Sequence, residues 1–257
     1  MPGNSRETSG KQLSRKKKQM ATKKAEGAKK AARKTSAAPA KDPIVEKFRK
    51  LDTCSVSDAM DRLGIAAGCL GITAVVPGAK TAGRAFTVKY RVTGEVDRGT
   101  VGDFLDDVEP GQVVVLDNAG RLDCTVWGDI MTVIADRRGI AGTVIDGVCR
   151  DVPRIRELGY PLFSRGRYMM TGKDRVEVDG VGVPVSISGR QVRPGDIILA
   201  DDSGVIVIPA SRAEDILKIA TDIEAVEQKI MKLVEKGLSL REAREKLGYH
   251  ALQTRAR

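Results

Sequence analysis

Three residues in one stretch could do chemistry together: Asp129 and, after twenty intervening positions, the adjacent Arg150 and Asp151. They lie within residues 127–167, WGDIMTVIADRRGIAGTVIDGVCRDVPRIRELGYPLFSRGR. Two carboxylates with water, and no histidine or thiolate beside them, suit a hard cation such as Mg²⁺ or Mn²⁺. The Arg150 guanidinium could hold a substrate carboxylate through two parallel hydrogen bonds. The backbone N–H groups of Ile130 and Met131, at a helix start, could take the second end of that carboxylate. A cation beside it would polarise a neighbouring keto oxygen and stabilise an enolate. The implied substrate is a 2-oxo acid, and the reaction is C–C cleavage or decarboxylation through a pyruvate enolate. Spacing alone also fits a plainer reading. Asp is among the favoured N-cap residues, so Asp129 and Asp151 could merely cap helices while Arg150 makes a surface ion pair.

The elements around these residues place them at one edge. Asp129 opens an apolar-periodic helix that ends at Arg137, Arg138 and Gly139, a basic last turn followed by a glycine stop. A strand over 141–146 follows, then the turn 147–150. A second helix begins near Asp151, with Pro153 in its first turn, where proline is tolerated. If the strand over 113–117, the helix over 130–138 and the strand over 141–146 form a crossover unit, the two strands are parallel. Asp129 and the pair Arg150 and Asp151 then both follow C-terminal strand ends, where open α/β sheets bind ligands. Further strands are expected at 72–76, 83–92, 161–164, 183–187, 197–200 and 204–208, each bounded by turn residues. Helices are expected at 100–107, at 152–158 and in one long stretch over 211–246. Segment 43–63 reads as two short helices, with Ser55 or Ser57 as an N-cap and Gly64 as the stop. The whole predicts one α/β domain over 42–210, a helical extension over 211–257 and no internal repeat.

Other chemistries find little support. A lone histidine, His250, rules against a His-centred triad or a multi-His zinc site. Cys54, Cys69, Cys124 and Cys149 show no CxxC spacing, and their number suits a reducing compartment. Cys149 stands next to Arg150, which could lower its pKa, but no histidine lies nearby to activate it. The G-x-G in DGVGVPVSISGR (179–190) precedes a strand rather than a helix, so it marks a hairpin-like turn and not a dinucleotide site. No Walker A sequence and no glycine loop suited to S-adenosylmethionine is present. A Schiff-base aldolase would need Lys89 or Lys173, but neither has neighbours that lower an ammonium pKa, and solvated positions are expected for both.

Charge divides the chain. Residues 1–41 hold 13 Lys/Arg against two Glu, a net +11, while the remainder holds 31 against 32, a net −1. The 1–41 segment is rich in Lys, Ala, Ser and Gly and has no aromatic residue, so it is expected to be a disordered basic tail. Such a tail could attract nucleic acid or another polyanion in a salt-dependent way, or serve only as a solubilising extension. An aromatic content of 4% argues against an RNA surface built on stacked rings. No apolar run approaches membrane-spanning length, and the opening residues lack the apolar core of a secretory signal. The expectation is a soluble, cytoplasmic protein with no membrane partner.

With these motifs in hand, the chain resembles the RraA-like family. That family includes metal-dependent 4-hydroxy-4-methyl-2-oxoglutarate / 4-carboxy-4-hydroxy-2-oxoadipate aldolases and regulators of ribonuclease E activity. The resemblance covers about residues 44–250. It rests on the D-x20-R-D spacing and on TCSVSDAMDRLG (53–64), PGQVVVLDNAG (110–120), WGDIMTVIA (127–135), GTVIDGVCRDVPRIRELGYPLFSRG (142–166) and VRPGDIILADDSGVIVIP (192–209). It implies a three-layer β/β/α swivelling-domain fold, with Asp151 as metal ligand and Asp129 as a nearby acidic residue. By the same resemblance, Arg150 binds the pyruvyl carboxylate, and the loop of Gly128, Asp129, Ile130 and Met131 completes that site through its amides. It implies a trimer or hexamer, whose active site takes an acidic residue from a neighbour's C-terminal region; Glu224 or Glu227 would match. The activity implied is an Mg²⁺- or Mn²⁺-dependent aldolase of a 4-hydroxy-2-oxo acid with oxaloacetate decarboxylase side activity, a water or hydroxide near Asp151 taking the C4 hydroxyl proton. The alternative is a non-catalytic regulator of ribonuclease E-type RNA degradation. The basic tail and loop 118–126 (NAGRLDCTV) depart from the family pattern.

Overall fold

Alternation of valines and leucines along the central strands decides the layering, because successive side chains point to opposite faces of a sheet. In the computed structural model, which describes residues 42–66, 68–94 and 99–249, Val114 and Leu116 join one buried cluster while Val113 and Val115 join another. The basic segment 1–41 and His250 lie outside the described residues.

The chain runs through helix α1 (Pro43–Phe48), α2 (Thr53–Arg62), strand β1 (Thr73–Ala74), β2 (Thr81–Val92), a 3₁₀ turn (Asp103–Asp107) and β3 (Val113–Thr125). It continues through α3 (Asp129–Arg138), β4 (Gly142–Cys149), α4 (Val152–Leu158), β5 (Leu162–Arg167) and β6 (Val176–Val181). Strands β7 (Val185–Ile187), β8 (Arg190–Val192), β9 (Ile197–Asp201) and β10 (Gly204–Ile208) precede helices α5 (Ala213–Glu235) and α6 (Leu240–Lys246). An eight-stranded sheet has the order β1-β5-β4-β3-β2-β9-β10, with β6 also pairing with β2. Strands β2 to β5 are mutually parallel, as the crossover reading required.

Helices α3 and α4 cover one face through Ala135 and Ile155, packed with Val114, Leu116, Ile145, Trp127 and Tyr160. The β7–β8 hairpin covers the opposite face, where Val185, Ile187 and Val192 meet Val113, Val115, Val144 and Phe163. Strands β9 and β10 are buried on both sides. Ile198 and Ala200 face the hairpin cluster, while Ile197 and Leu199 pack on α1, α2 and the first half of α5. Helix, sheet and second β layer stack as β/β/α, the α/β architecture expected.

Several local expectations are corrected. Helix α2 is capped by Asp52, whose carboxylate accepts from Ser55 N–H at 2.7 Å, and not by Ser55 or Ser57. Gly64, at φ 70°, does close it. The expected helix over 100–107 is a short 3₁₀ turn. The long helix over 211–246 is two helices, broken at Gly237 (φ 95°) and restarted by a capping box of Ser239 and Glu242. Loop 118–126 is mostly an irregular continuation of β3. Between the pairs Asp117 with Asp146 and Thr125 with Val148 the β3 side holds several extra residues, bulging outward through Ala119 and Gly120 at positive φ.

Candidate active site

Strand β4 ends at Cys149, and the next two residues carry the candidate chemistry. Arg150 is anchored by its own backbone, its N–H donating to Trp127 O at 3.0 Å. Asp151 takes left-handed dihedrals, φ 57° and ψ 35°, and opens α4 without capping it. A non-glycine residue held there is mildly strained, of the order of 1 kcal/mol, and such strain concentrates at functional sites. The Asp151 carboxylate instead reaches across to the neighbouring helix: its Oδ2 accepts the N–H of Asp129, the first residue of α3, at 3.2 Å. The same oxygen lies 3.4 Å from Arg150 Nε. The plainer reading, two aspartates capping helices and a surface ion pair at Arg150, is met in part: both carboxylates accept first-turn N–H groups of α3 and Arg150 pairs with Asp151, while neither carboxylate caps α4.

Gly128 makes this crossing fit. A Cβ at that position would stand 2.6 Å from Asp151 Oδ2 and 3.3 Å from Arg150 Nε, so only glycine leaves room. Gly128, and not Asp129, is the N-cap residue of α3. Beneath it, buried Trp127 donates from Nε1 to Thr132 Oγ1 at 2.9 Å, and that hydroxyl donates to Gly128 O at 2.8 Å. The indole stacks on Tyr160, ring centroids 6.1 Å apart. Trp127 and Thr132 thus fix the loop that carries Asp129. The sequence reading passed over both; the signal was a lone tryptophan directly before Gly128 and Asp129.

The first-turn donors of α3 divide. Asp129 N–H is used by Asp151, Ile130 N–H by Asp129 Oδ1 at 2.7 Å, and Thr132 N–H by Gly128 O at 3.1 Å. Met131 N–H has no acceptor among the described residues. Ile130 is therefore not a free donor for a substrate, as the spacing had suggested, whereas Met131 is. At Arg150, Nε faces Asp151, and the two terminal nitrogens have no partner among the described residues. The side chains of Arg150 and Asp151 are 40% and 38% exposed, so the pair is open to a ligand. A cavity of about 440 Å³ beside them is lined by Cys149, Arg150, Asp151, Val152, Arg167, Tyr168 and Met169. The last three were not foreseen.

Cys149 lies at that cavity, and burial pushes its thiol pKa up, outweighing the opposing pull of Ser164 and Arg167. The expectation that Arg150 lowers it is corrected, and a nucleophilic thiolate finds no support. Glu224 and Glu227 lie on α5 and neither lines this cavity; Glu224 accepts from Gln228 at 3.3 Å and Glu227 from Tyr249 at 3.1 Å. Lys89 pairs with Asp179 at 3.1 Å and is half exposed.

Could these residues hold a divalent cation? Among the described residues no three His, Cys, Asp or Glu side chains gather closely enough for a protein-only metal cage. Asp151 alone offers a half-exposed carboxylate, with Asp129 adjacent. That donor set does not fit Zn²⁺, whose sites take three or four protein ligands, mostly His and Cys. It fits Mg²⁺ or Mn²⁺, which bind through one or two carboxylates and retain several waters.

The chain is similar to proteins of one family. The family model RraA-like: Aldolase/RraA matches residues 53–207. Over 188 residues the chain is 33% identical to a putative 4-hydroxy-4-methyl-2-oxoglutarate aldolase of Halalkalibacterium halodurans, covering 71% of this chain and 84% of that protein. It is 39% identical over 210 residues to Protein DlpA of Legionella pneumophila, which covers 80% of this chain; the chain spans only 34% of DlpA. Among solved structures, an uncharacterized protein from Pseudomonas syringae pv. tomato is similar with a TM-score of 0.74 and 42% identity, over 81% of this chain and 100% of that one. Among the described residues no helix is long and apolar enough to cross a membrane.

Proposed function

Because the chain belongs to the RraA-like family, we propose that it is a metal-dependent carbon–carbon lyase that cleaves a 4-hydroxy-2-oxo acid to pyruvate and also decarboxylates oxaloacetate. One observation carries the reading. Asp151, locked at positive φ, uses one carboxylate oxygen to hold both α3 and Arg150 Nε, which leaves the two terminal nitrogens of Arg150 free beside an open cavity.

In this reading the Arg150 fork takes the substrate carboxylate from one side and Met131 N–H from the other, which orients the C2 keto group toward Asp151. Asp151 and, through water, Asp129 would hold the Mg²⁺ or Mn²⁺, whose bound charge stabilises the enolate. Water beside Asp151 accepts the proton of the C4 hydroxyl, and the C3–C4 bond breaks. Its electron pair passes to the pyruvyl fragment, C4 departs as a carbonyl, and the proton returns to C3 to give pyruvate. We assign a further acidic ligand to the C-terminal helix of a neighbouring copy, Glu224 or Glu227, in a trimer or hexamer.

Pyruvate release from 4-hydroxy-2-oxo acids and from oxaloacetate tests this directly. Turnover should require Mg²⁺ or Mn²⁺, stop with EDTA, and vanish in Asp151→Asn while the melting temperature holds. Borohydride with pyruvate should trap no lysine adduct. Metal-independent turnover or a trapped adduct would overturn the mechanism. No turnover on any of these acids would leave a binding regulator as the better reading.

A further inference from the structure

Two groups grip the ligand carboxylate in the reading above, the Arg150 fork and Met131 N–H, and they belong to different elements. Arg150 follows the end of β4, whereas Met131 sits in the first turn of α3. They act as one site only if their separation is fixed, and a single buried residue spans it. Trp127 O accepts Arg150 N–H at 3.0 Å, which fixes where β4 delivers the guanidinium. The Trp127 indole N–H donates to Thr132 Oγ1 at 2.9 Å, and that hydroxyl donates to Gly128 O at 2.8 Å. Gly128 O takes a second donor from the same residue, Thr132 N–H at 3.1 Å. Met131 lies inside that closed turn. Its N–H cannot turn away without breaking bonds that water cannot replace, because Trp127 is 2% exposed and Thr132 fully buried. The indole is itself held, stacked on Tyr160, whose hydroxyl meets Thr143 Oγ1 at 2.9 Å. Core packing alone asks for none of this: a phenylalanine would stack on Tyr160 and a valine would fill the space of Thr132, with no polar atom to bury.

We propose that Trp127 and Thr132 are positioning residues for the carboxylate grip: neither touches the ligand, and together they set the distance between the Arg150 fork and Met131 N–H. This rests on the reading of those two groups as the grip. If the pair served only to fill the core, its loss would lower stability and leave the affinity of the folded protein as it was.

Calorimetric titration of the full chain with pyruvate separates the two, with Mg²⁺ present and the temperature well below each variant's melting point. Thr132→Val removes the hydroxyl and should weaken pyruvate binding about tenfold, the worth of one charge-assisted hydrogen bond, whereas Thr132→Ser should restore it. Trp127→Phe keeps the stack and the bond from Thr132 to Gly128 O. It should weaken binding about threefold, the worth of a neutral hydrogen bond, and carries the test if Thr132→Val does not fold. In the double variant the loss should be no greater than in Thr132→Val alone, because both changes cut one chain. Wild-type affinity in either single variant, no recovery in Thr132→Ser, or losses that add would overturn the inference, as would a wild type that binds no pyruvate. The lyase reading fails separately. Thr132-dependent pyruvate binding without pyruvate release from any 4-hydroxy-2-oxo acid would sink the reaction and leave the positioning assignment standing.

Discussion

Two Asp–Arg pairs stand at the C-terminal ends of β4 and β5, and they do opposite things. Asp146 and Arg165 are 7% and 27% exposed, against 38% and 40% for Asp151 and Arg150. Asp146 has both oxygens engaged, Oδ1 by Arg165 and Oδ2 by Ser188 N–H at 2.7 Å. Its neighbour in the register, Asp117, likewise accepts Ser186 N–H at 3.0 Å and Ala119 N–H at 3.0 Å. Together the two carboxylates hold strand β7 to the central sheet. Asp151 and Arg150 keep atoms in reserve. The lesson is that residue type does not separate a structural pair from a reactive one. Burial and the saturation of the carboxylate do: one whose two oxygens are both used, out of water, holds the fold, whereas one with an unused oxygen at an open edge can bind something else.

The largest effect should come from breaking the closed pair. Asp146→Ala strands the Arg165 guanidinium, mostly out of water, and leaves Ser188 N–H without its acceptor. Removing one partner of such a pair costs roughly 3 kcal/mol or more. Denaturant titration should show that loss. A change below about 1 kcal/mol would mean that water rescues Arg165 and that the contrast in saturation is false.

Breaking the open pair should move activity instead. Arg150→Lys keeps the charge but loses the fork. The cost of one charge-assisted hydrogen bond, about 1.5–3 kcal/mol, predicts a kcat/KM lower by roughly 10- to 150-fold. Stability should hold, because Arg150 is half exposed and its backbone anchor to Trp127 O is untouched. A fall in melting temperature comparable with that of Asp146→Ala would assign Arg150 a structural role as well.

Much of this site was legible in the sequence. Strand, helix and strand around 113–146 follow from short-range patterning and helix stop signals, and the parallel crossover then puts Asp129 beside Asp151 without any long-range information. What stayed hidden depends on geometry that spacing does not encode. Asp146 and Asp151 read alike as aspartates at a strand end, and only the β7–β8 hairpin closing over β4, some 40 residues later, consumes the first. Arg167 escaped notice because its place opposite Cys149 arises from the register of β5, a strand expected to end at 164 and observed to end at 167. The outward bulge of β3 was read as a loop because Ala119 and Gly120 break the alternation, although pairing resumes beyond them.

The smallest and most discriminating effects belong to two glycines, one beside each pair. Gly120 sits at φ 68°, and a Cβ there would meet Arg165 Nε at 3.5 Å, an ordinary contact. Its need for glycine is conformational, so Gly120→Ala should cost about 1–2 kcal/mol of stability, the penalty of left-handed backbone, and leave turnover unchanged. Gly128 has ordinary extended dihedrals, φ −149°, but no room: the added methyl would lie 2.6 Å from Asp151 Oδ2. That oxygen ends a half-exposed side chain, so it can swing aside and spare the fold while abandoning its hydrogen bond to Asp129 and its approach to Arg150. Gly128→Ala should therefore lower kcat/KM sharply at nearly constant melting temperature, the inverse of the Gly120 result. Assaying both variants for pyruvate release and thermal unfolding gives a crossed pattern if the two pairs are what saturation makes them. Should both glycines lose only stability, Asp151 would be another structural carboxylate, and the open pair would have no claim on the chemistry.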